Sequence, residues 1–315
     1  MNYKNENDFY LKIGEISLHL TNQNKLFFPD DGISKGDIVN YYNEVSALIL
    51  PYLKDRPESM NRFPNGINRD SFYQKDVNLE NIPSWLKTEK IYSKSNDKYI
   101  DYLVCNDKET LLYMANLGCI EFNPWNSTIQ NIDKPDWAVI DLDPAKNDFK
   151  EVVQTALTVK EIMDEYESEC YCKTSGATGL HIYIPLGAQY SYDSARLFSE
   201  IIANKVVARL PEITSVIRPV GNRGNKIYVD FLQNRPGQTF ASPYSVRPRT
   251  GATVSTPLEW GEVNEKLSPS QFTIKNVLKR FEQKGDLWKP VLGKGVNLEM
   301  ILKKIAENPT DIKKI

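Results

Sequence analysis

A chain of 315 residues with 41% hydrophobic content is long enough to bury a sizeable core, as one large or two closely joined α/β units. Its 39 basic and 41 acidic residues leave a formal charge of −2, which excludes a broadly basic surface and the extensive electrostatic footprint such a surface gives a nucleic-acid binder. No apolar run reaches the length of a membrane span, and the start, Met1-Asn-Tyr-Lys-Asn-Glu-Asn-Asp8, lacks the basic and apolar regions of a signal peptide, so a cytoplasmic protein is expected.

In chain order, Ser34-Lys-Gly-Asp37 reads as a helix cap, followed by Ile38, Tyr41, Tyr42, Val45, Leu48, Tyr52 and Leu53 at helical spacing, with the helix ending near Asp55-Arg-Pro57. Further helices are expected over 149–166, 191–210, 269–284 and 297–307, the second opening on Ser191 and Asp193. Strands are expected over 137–143, 179–186, 226–233 and 239–246. No internal repeat or low-complexity linker divides the chain. The four cysteines, Cys105, Cys119, Cys170 and Cys172, form no C-x-x-C pair and read as reduced thiols. Lys294, Lys303, Lys304, Lys313 and Lys314 read as a solvated C-terminal helix and tail.

The strand Trp137-Ala-Val-Ile-Asp141-Leu-Asp143 ends on two carboxylates that share a face, about 7 Å apart, while Ala138, Ile140 and Leu142 face the other way. Such oxygen ligands suit hard divalent ions, although Asp-x-Asp also occurs in turns and helix caps. Downstream, Lys173-Thr-Ser175-Gly176-Ala-Thr-Gly179-Leu-His181 is a glycine-containing turn feeding a strand whose Leu180, Ile182, Ile184 and Leu186 form an apolar face, leaving His181 on the opposite side. Backbone N–H groups, the Ser175 hydroxyl, the Lys173 ammonium and His181 can together receive an anion such as a triphosphate; a plain hairpin turn is the alternative. In Lys226-Ile-Tyr-Val-Asp230-Phe-Leu-Gln233, Asp230 interrupts a β-prone run, either as an edge carboxylate or as a third metal ligand. Three carboxylates with a triphosphate cradle fit metal-assisted nucleotidyl transfer, in which two ions activate a 3′-hydroxyl and neutralise the phosphoryl group in flight.

These residues resemble the polymerase domain of bacterial ligase D, within the archaeo-eukaryotic primase superfamily. The resemblance runs from about Ile16 to Leu292 and includes Leu20-Thr-Asn22-Gln-Asn-Lys25-Leu-Phe-Phe-Pro29, Gly32-Ile-Ser-Lys35, Asp55-Arg56-Pro57, Arg62-Phe-Pro-Asn-Gly66, Phe72-Tyr73-Gln-Lys75 and Ala241-Ser-Pro-Tyr-Ser245-Val-Arg247 through Trp260, besides the three segments above. It implies an α+β fold with a primase-type core of mainly antiparallel sheets flanked by helices and an intimately packed N-terminal α/β module. The implied layout is an extension over 1–15, one primase-polymerase domain over 16–292 (module about 16–130, core about 131–292), and a helix and tail over 293–315.

The resemblance also implies a template-directed polymerase that fills gaps or extends ends in end joining or excision repair, preferring ribonucleotides, with two Mn²⁺ or Mg²⁺ ions. Its implied partners are DNA with gaps, overhangs or ends bearing a 5′-phosphate, NTP or dNTP, Ku and a DNA ligase. Asp141, Asp143 and Asp230 are the implied catalytic metal carboxylates. The nucleotide set is Lys173, Ser175, Gly176, Gly179, His181, Arg247 and Gln233, with Phe72 and Tyr73 as a stacking platform; adjacent in a strand, these two aromatics are expected to face opposite sides, at least one of them in the core. Lys25 and Lys35 look like the grip on a 5′-phosphate, and Asn22, Arg62 and Arg223 like contacts to primer and template. Two positions depart from the family pattern: Asn123 stands where histidine is usual, and Asn61 where some relatives carry a second basic residue. A de novo primase would use the same centre, a non-catalytic end-bridging module would use the lysines alone, and a phosphoesterase would have no use for the triphosphate set.

Overall fold

The Ser34-Lys-Gly-Asp37 signal forms a reciprocal cap: the Asp37 N–H donates to the Ser34 hydroxyl at 3.1 Å and the Ser34 N–H donates to the Asp37 carboxylate at 2.7 Å. The computed structural model that contains it describes residues 8–307, so the outer parts of the expected N-terminal extension and C-terminal tail, with Lys313 and Lys314, lie outside the described residues. The chain divides into two compact units drawn from interleaved stretches: residues up to Trp125 with Thr239–Ser255 and Phe272–Gly285 form one, and Asn126–Gln238, Thr256–Gln271 and the chain from Asp286 form the other.

The first unit opens with the hairpin β1 (Phe9–Ile13) and β2 (Ile16–Leu20), then the short antiparallel pair β3 (Leu26–Phe28) and β4 (Ile33–Ser34), which delivers the chain into α1 (Lys35–Leu53). The helix buries Ile38, Tyr41, Tyr42, Val45, Ile49, Tyr52 and Leu53; Ile49 takes the inward place expected of Leu48. Next come β5 (Glu58–Arg62), β6 (Phe72–Gln74), the hairpin β7 (Thr88–Ser93) and β8 (Lys98–Leu103), α2 (Lys108–Asn116) capped by Asp107, and β9 (Cys119–Pro124). Strands β6, β5 and β9 form an antiparallel sheet in that order.

Two expectations fail in the later stretches of this unit. Residues 239–246 form no continuous strand, only isolated bridges such as Trp125 with Thr239 and Val246 with Val254. Pro243 has no N–H to offer a ladder and Tyr244 sits at a φ of 68°, which breaks extended backbone. Side chains of α1 hold the segment instead: Tyr41 donates to the Tyr244 carbonyl at 2.8 Å, and the Val246 N–H donates to the Tyr42 hydroxyl at 2.9 Å. The helix expected over 269–284 begins only at Val277 and runs to Lys284, because Thr273 bridges Thr253 and donates its N–H to the Asn276 side chain at 3.0 Å.

The second unit is built on β10 (Trp137–Asp143), β11 (Tyr171–Thr174), β12 (Leu180–Pro185), β13 (Thr214–Ser215), β14 (Ile227–Asp230) and β15 (Pro257–Leu258). They form one six-stranded sheet in the order β13-β14-β10-β12-β11-β15, antiparallel except between β13 and β14. Helices α3 (Phe149–Glu165) and α4 (Tyr192–Arg209), capped by Asp148 and Ser191, pack against it. Ala138, Ile140 and Leu142 pair across strands with Ile184, Ile182 and Leu180, and all six are fully buried, the apolar face expected from the alternation.

Strand β14 stops at Asp230 rather than reaching residue 233. The Leu232 N–H donates to the Asp230 carboxylate at 2.7 Å and turns the chain, and the Asn234 amide then pairs with the backbone of Val139, giving and accepting at 2.8 Å. A side chain thus satisfies the strand edge where backbone pairing ends. All four cysteines are buried free thiols, and burial pushes Cys170 up to about 12, far from thiolate reactivity at neutral pH.

Candidate active site and phosphate-binding cluster

On the face of the six-stranded sheet opposite the apolar one, the register sets a straight row of side chains. Asp230 of β14 pairs with Asp141 of β10, Asp141 with His181 of β12, and His181 with Lys173 of β11. Direct cross-strand partners have Cβ atoms about 5 Å apart, so the row runs carboxylate, carboxylate, imidazole, ammonium with no gap. His181 Nε2 lies 3.4 Å from Asp141 Oδ1, and Lys173 Nζ lies 2.9 Å from His181 Nδ1. Lys173 has no exposed surface, and His181 and Asp230 keep only 5% and 6% of theirs.

Asp143, two residues along β10, stands on the same face and is paired with Tyr228. Arg223 reaches it, Nη2 to Oδ2 at 3.8 Å, with its guanidinium 5.0 Å from the centre of the Tyr228 ring. Partial burial raises the Asp143 carboxyl above the usual carboxylate range; Arg223 opposes that rise and the Asp230 carboxylate adds to it. The Tyr228 hydroxyl is raised too, by burial first and then by Asp230. Negative charge therefore accumulates at this end of the row, and a divalent cation would relieve it. The donors are all hard oxygens on two adjacent strands, which fits such an ion. Among the described residues, however, no three His, Cys, Asp or Glu side chains converge into a metal-binding group. Each carboxylate is directed elsewhere: Asp141 towards His181, Asp143 towards Arg223 and Asp230 towards the Leu232 N–H.

The glycine turn sits at the end of the row. Ser175 Oγ accepts from the Ala177 and Gly179 N–H groups at 3.0 and 3.1 Å, so two of the turn's donors orient the hydroxyl instead of facing outward. Gly176 adopts a φ of 70°, and a Cβ on Gly179 would lie 2.0 Å from the Leu142 carbonyl oxygen. Glycine at 179 is what lets the turn lie against the strand that carries the aspartates. Gln233 is half-buried in the turn after β14.

The other expected residues belong to the first unit. The β3–β4 pair brings Lys25 and Lys35 together, the Lys35 N–H donating to the Lys25 carbonyl at 2.8 Å. Lys25 Nζ donates to the Pro64 carbonyl and the Asn65 side chain at 2.7 and 2.6 Å, and Lys35 Nζ to the Thr21 carbonyl at 2.6 Å. Arg62 grips the Leu117 carbonyl through Nε and Nη2, at 2.9 and 2.7 Å, and Gln74 through Nη1 at 2.6 Å. All three cations are thus held by neutral oxygens, and among the described residues no carboxylate lies within ion-pair distance of them. Burial lowers Lys35 to about 8; Asp8 opposes the shift, while Lys25 and Arg62 reinforce it. Asn22 occupies the turn before Lys25 at a φ of 54°, its N–H donating to Asp8 at 2.7 Å.

Phe72 and Tyr73 are both exposed, by 47% and 61%, against the expectation that one is core. Strand β6 is an edge strand only three residues long, so neither of its faces is covered. Arg62 lies 5.2 Å from the centre of the Phe72 ring, and Asn61 donates to the Tyr73 hydroxyl at 3.3 Å. Asn123 is buried and donates to the Ser59 and Glu121 carbonyls, both at 3.2 Å. Arg247 Nε holds Glu121 at 2.8 Å. The sequence reading missed Tyr228, Asn234 and Glu121. Tyr228 lies within the Lys226–Gln233 segment and Glu121 two residues before Asn123, at positions the strand register makes neighbours of Asp143 and Asn61, while Asn234 carried no local signal.

A family model described as the LigD primase-polymerase domain matches residues 34–288. The chain is 35% identical over 270 residues to the bifunctional non-homologous end joining protein LigD of Bacillus subtilis, covering 85% of this chain and 43% of that protein. It is 29% identical over 278 residues to the multifunctional non-homologous end joining protein LigD of Mycolicibacterium smegmatis, covering 87% of this chain and 36% of that protein. The chain therefore spans less than half the length of these relatives. The solved polymerase domain from Mycobacterium tuberculosis ligase D in complex with DNA superposes with a TM-score of 0.80 at 26% identity, covering 88% of this chain and 98% of that one. With the antiparallel α+β architecture and the carboxylate row already in place, these matches establish that the chain belongs to the LigD primase-polymerase domain family and, with it, to the nucleotidyltransferases.

Proposed function

We propose that the chain is a templated repair polymerase that fills gaps or extends DNA ends carrying a 5′-phosphate in end joining, with ribonucleotides as its preferred substrates. The observation that carries this reading is the placement of Asp230, Asp141 and His181 as successive cross-strand partners, with Asp143 on the same face. Asp141, Asp143 and Asp230 would hold two Mn²⁺ or Mg²⁺ ions, which when bound supply Lewis-acid stabilisation of the phosphoryl group and a more acidic 3′-hydroxyl. His181 Nε2 and Ser175 donate to triphosphate oxygens, and Gly179 lets the turn approach closely. Arg223 balances Asp143 and orients it.

The 5′-phosphate falls to Lys25, Lys35 and Arg62, whose direct hydrogen-bond partners are neutral oxygens. Phe72 and Tyr73 offer exposed faces to a base. The names of the relatives support an end-joining setting, in which Ku and a ligase are the expected partners.

Primer extension across a one-nucleotide gap with a 5′-phosphate tests the proposal, comparing ribonucleotides with deoxyribonucleotides in Mn²⁺ and Mg²⁺ and using Asp141→Ala/Asp143→Ala as control. Templated addition that disappears in the variant is the expected result. Tight binding to the phosphorylated gap without addition would replace the polymerase by an end-bridging module, and synthesis without a primer would make it a primase.

A further inference from the structure

Lys173 is the least expected member of the row. An ammonium with no exposed surface is costly unless polar groups receive it, and its Nζ lies 2.9 Å from His181 Nδ1 and 5.7 Å from the centre of the Tyr183 ring. The cross-strand pairing of Lys173 with His181 on β11 and β12 makes this contact a property of the sheet. A lysine ammonium carries three donors and no acceptor, so the ring nitrogen facing it must accept. The single hydrogen of the neutral imidazole then sits on Nε2, the atom 3.4 Å from Asp141 Oδ1.

We infer that Lys173 is a positioning residue that fixes His181 as the Nε2–H tautomer and holds its ring with that hydrogen aimed at the carboxylate edge of the row. Resting on the polymerase reading above, its consequence for function is that His181 meets the triphosphate as a hydrogen-bond donor and is closed to acting as a proton acceptor. Lys173 itself touches no substrate. Its buried position also explains why a lysine that the sequence offers to an anion turns inward: the anion is reached through the imidazole.

The test is the two-bond ¹H–¹⁵N imidazole spectrum of the full chain without nucleotide. With two histidines in the sequence, His19 serves as the internal reference and His181→Gln assigns the signals. The wild type is expected to show the Nε2–H pattern for His181. Lys173→Met should lose it while His19 and circular dichroism stay unchanged, and Lys173→Arg should keep it. In primer extension Lys173→Met should raise the nucleotide KM about tenfold, more than it lowers kcat, with Arg restoring it.

An Nδ1–H or doubly protonated His181 in the wild type overturns the inference, as does an unaltered His181 spectrum in a folded Lys173→Met. Should that variant not fold, the wild-type spectrum and Lys173→Arg still decide. A protein that gives the expected spectra without extending primers would refute the polymerase reading and leave the positioning role standing.

Discussion

The carboxylate row and the lysine cluster gather charge by opposite means. In the row, every member sits on a strand and is placed by the ladder: Asp230, Asp141, His181 and Lys173 are successive partners. Charges of opposite sign lie side by side, and each carboxylate has a partner in the protein. In the cluster, Lys25, Lys35 and Arg62 come from a turn, a helix start and a strand end, and are held by carbonyl and amide oxygens. Like charges gather there, and burial, reinforced by Lys25 and Arg62 and opposed by Asp8, lowers Lys35 to about 8. The row keeps an excess of carboxylate at its Asp143 end, which a cation would relieve; the cluster gathers cations on neutral oxygens, which an anion would complete.

The largest effect should come from removing the row's carboxylates. Asp141→Ala/Asp143→Ala is expected to lower templated addition about 10³-fold or more while leaving affinity for phosphorylated DNA ends within about twofold, read by extension and by fluorescence anisotropy. Loss of both would give the row's carboxylates a part in holding DNA as well as in nucleotide addition. Lys35→Ala should weaken binding to a 5′-phosphorylated gap about 10- to 100-fold and leave the non-phosphorylated gap nearly unaffected, the worth of a charge-assisted hydrogen bond. Equal losses on both substrates would remove the phosphate role.

The same lysine predicts a pH dependence with a definite sign. Its pKa in the folded protein is lowered from 10.5 to about 8, so the charge that phosphate needs is present below pH 8 and lost above it. Affinity for the 5′-phosphate should fall about tenfold between pH 7 and pH 9, in Kd measurements on phosphorylated against non-phosphorylated gaps. For folding the sign is reversed: a lysine whose folded pKa is depressed costs stability while charged, so its unfavourable contribution shrinks as pH rises from about 8 towards 10.5. The smallest effect is expected at the exposed platform, where Tyr73→Leu should cost about 1 kcal/mol of primer-template affinity by titration, with folding stability unchanged because the ring is 61% exposed.

The alternation of Ala138, Ile140 and Leu142 with Asp141 and Asp143 placed both faces of β10, and the Ser34 cap placed the start of α1, because both signals are local and periodic. Strand ends and the stretches around 239–246 and 269–276 were not legible in the same way. There the backbone groups are satisfied by distant side chains, such as Asn234 on Val139 and Tyr42 on Val246. The two exposed aromatics of β6 were misread for a related reason: alternation says that neighbours face opposite ways, and only the sheet says whether either side is covered.

What the sequence by itself determined is the chemistry on offer: three aspartates in β-prone segments, a glycine turn ahead of His181, and lysines in motif islands. It also fixed which side chains share a strand face, since that depends only on the two-residue repeat of extended backbone. Tertiary structure alone decided which strands lie side by side, and so that Asp141 stands between Asp230 and His181. It also decided which cations are buried, so that Lys173 serves an imidazole and Lys35 gives up part of its basicity. Pairing and desolvation both depend on residues far away in the chain, and no local pattern can encode them.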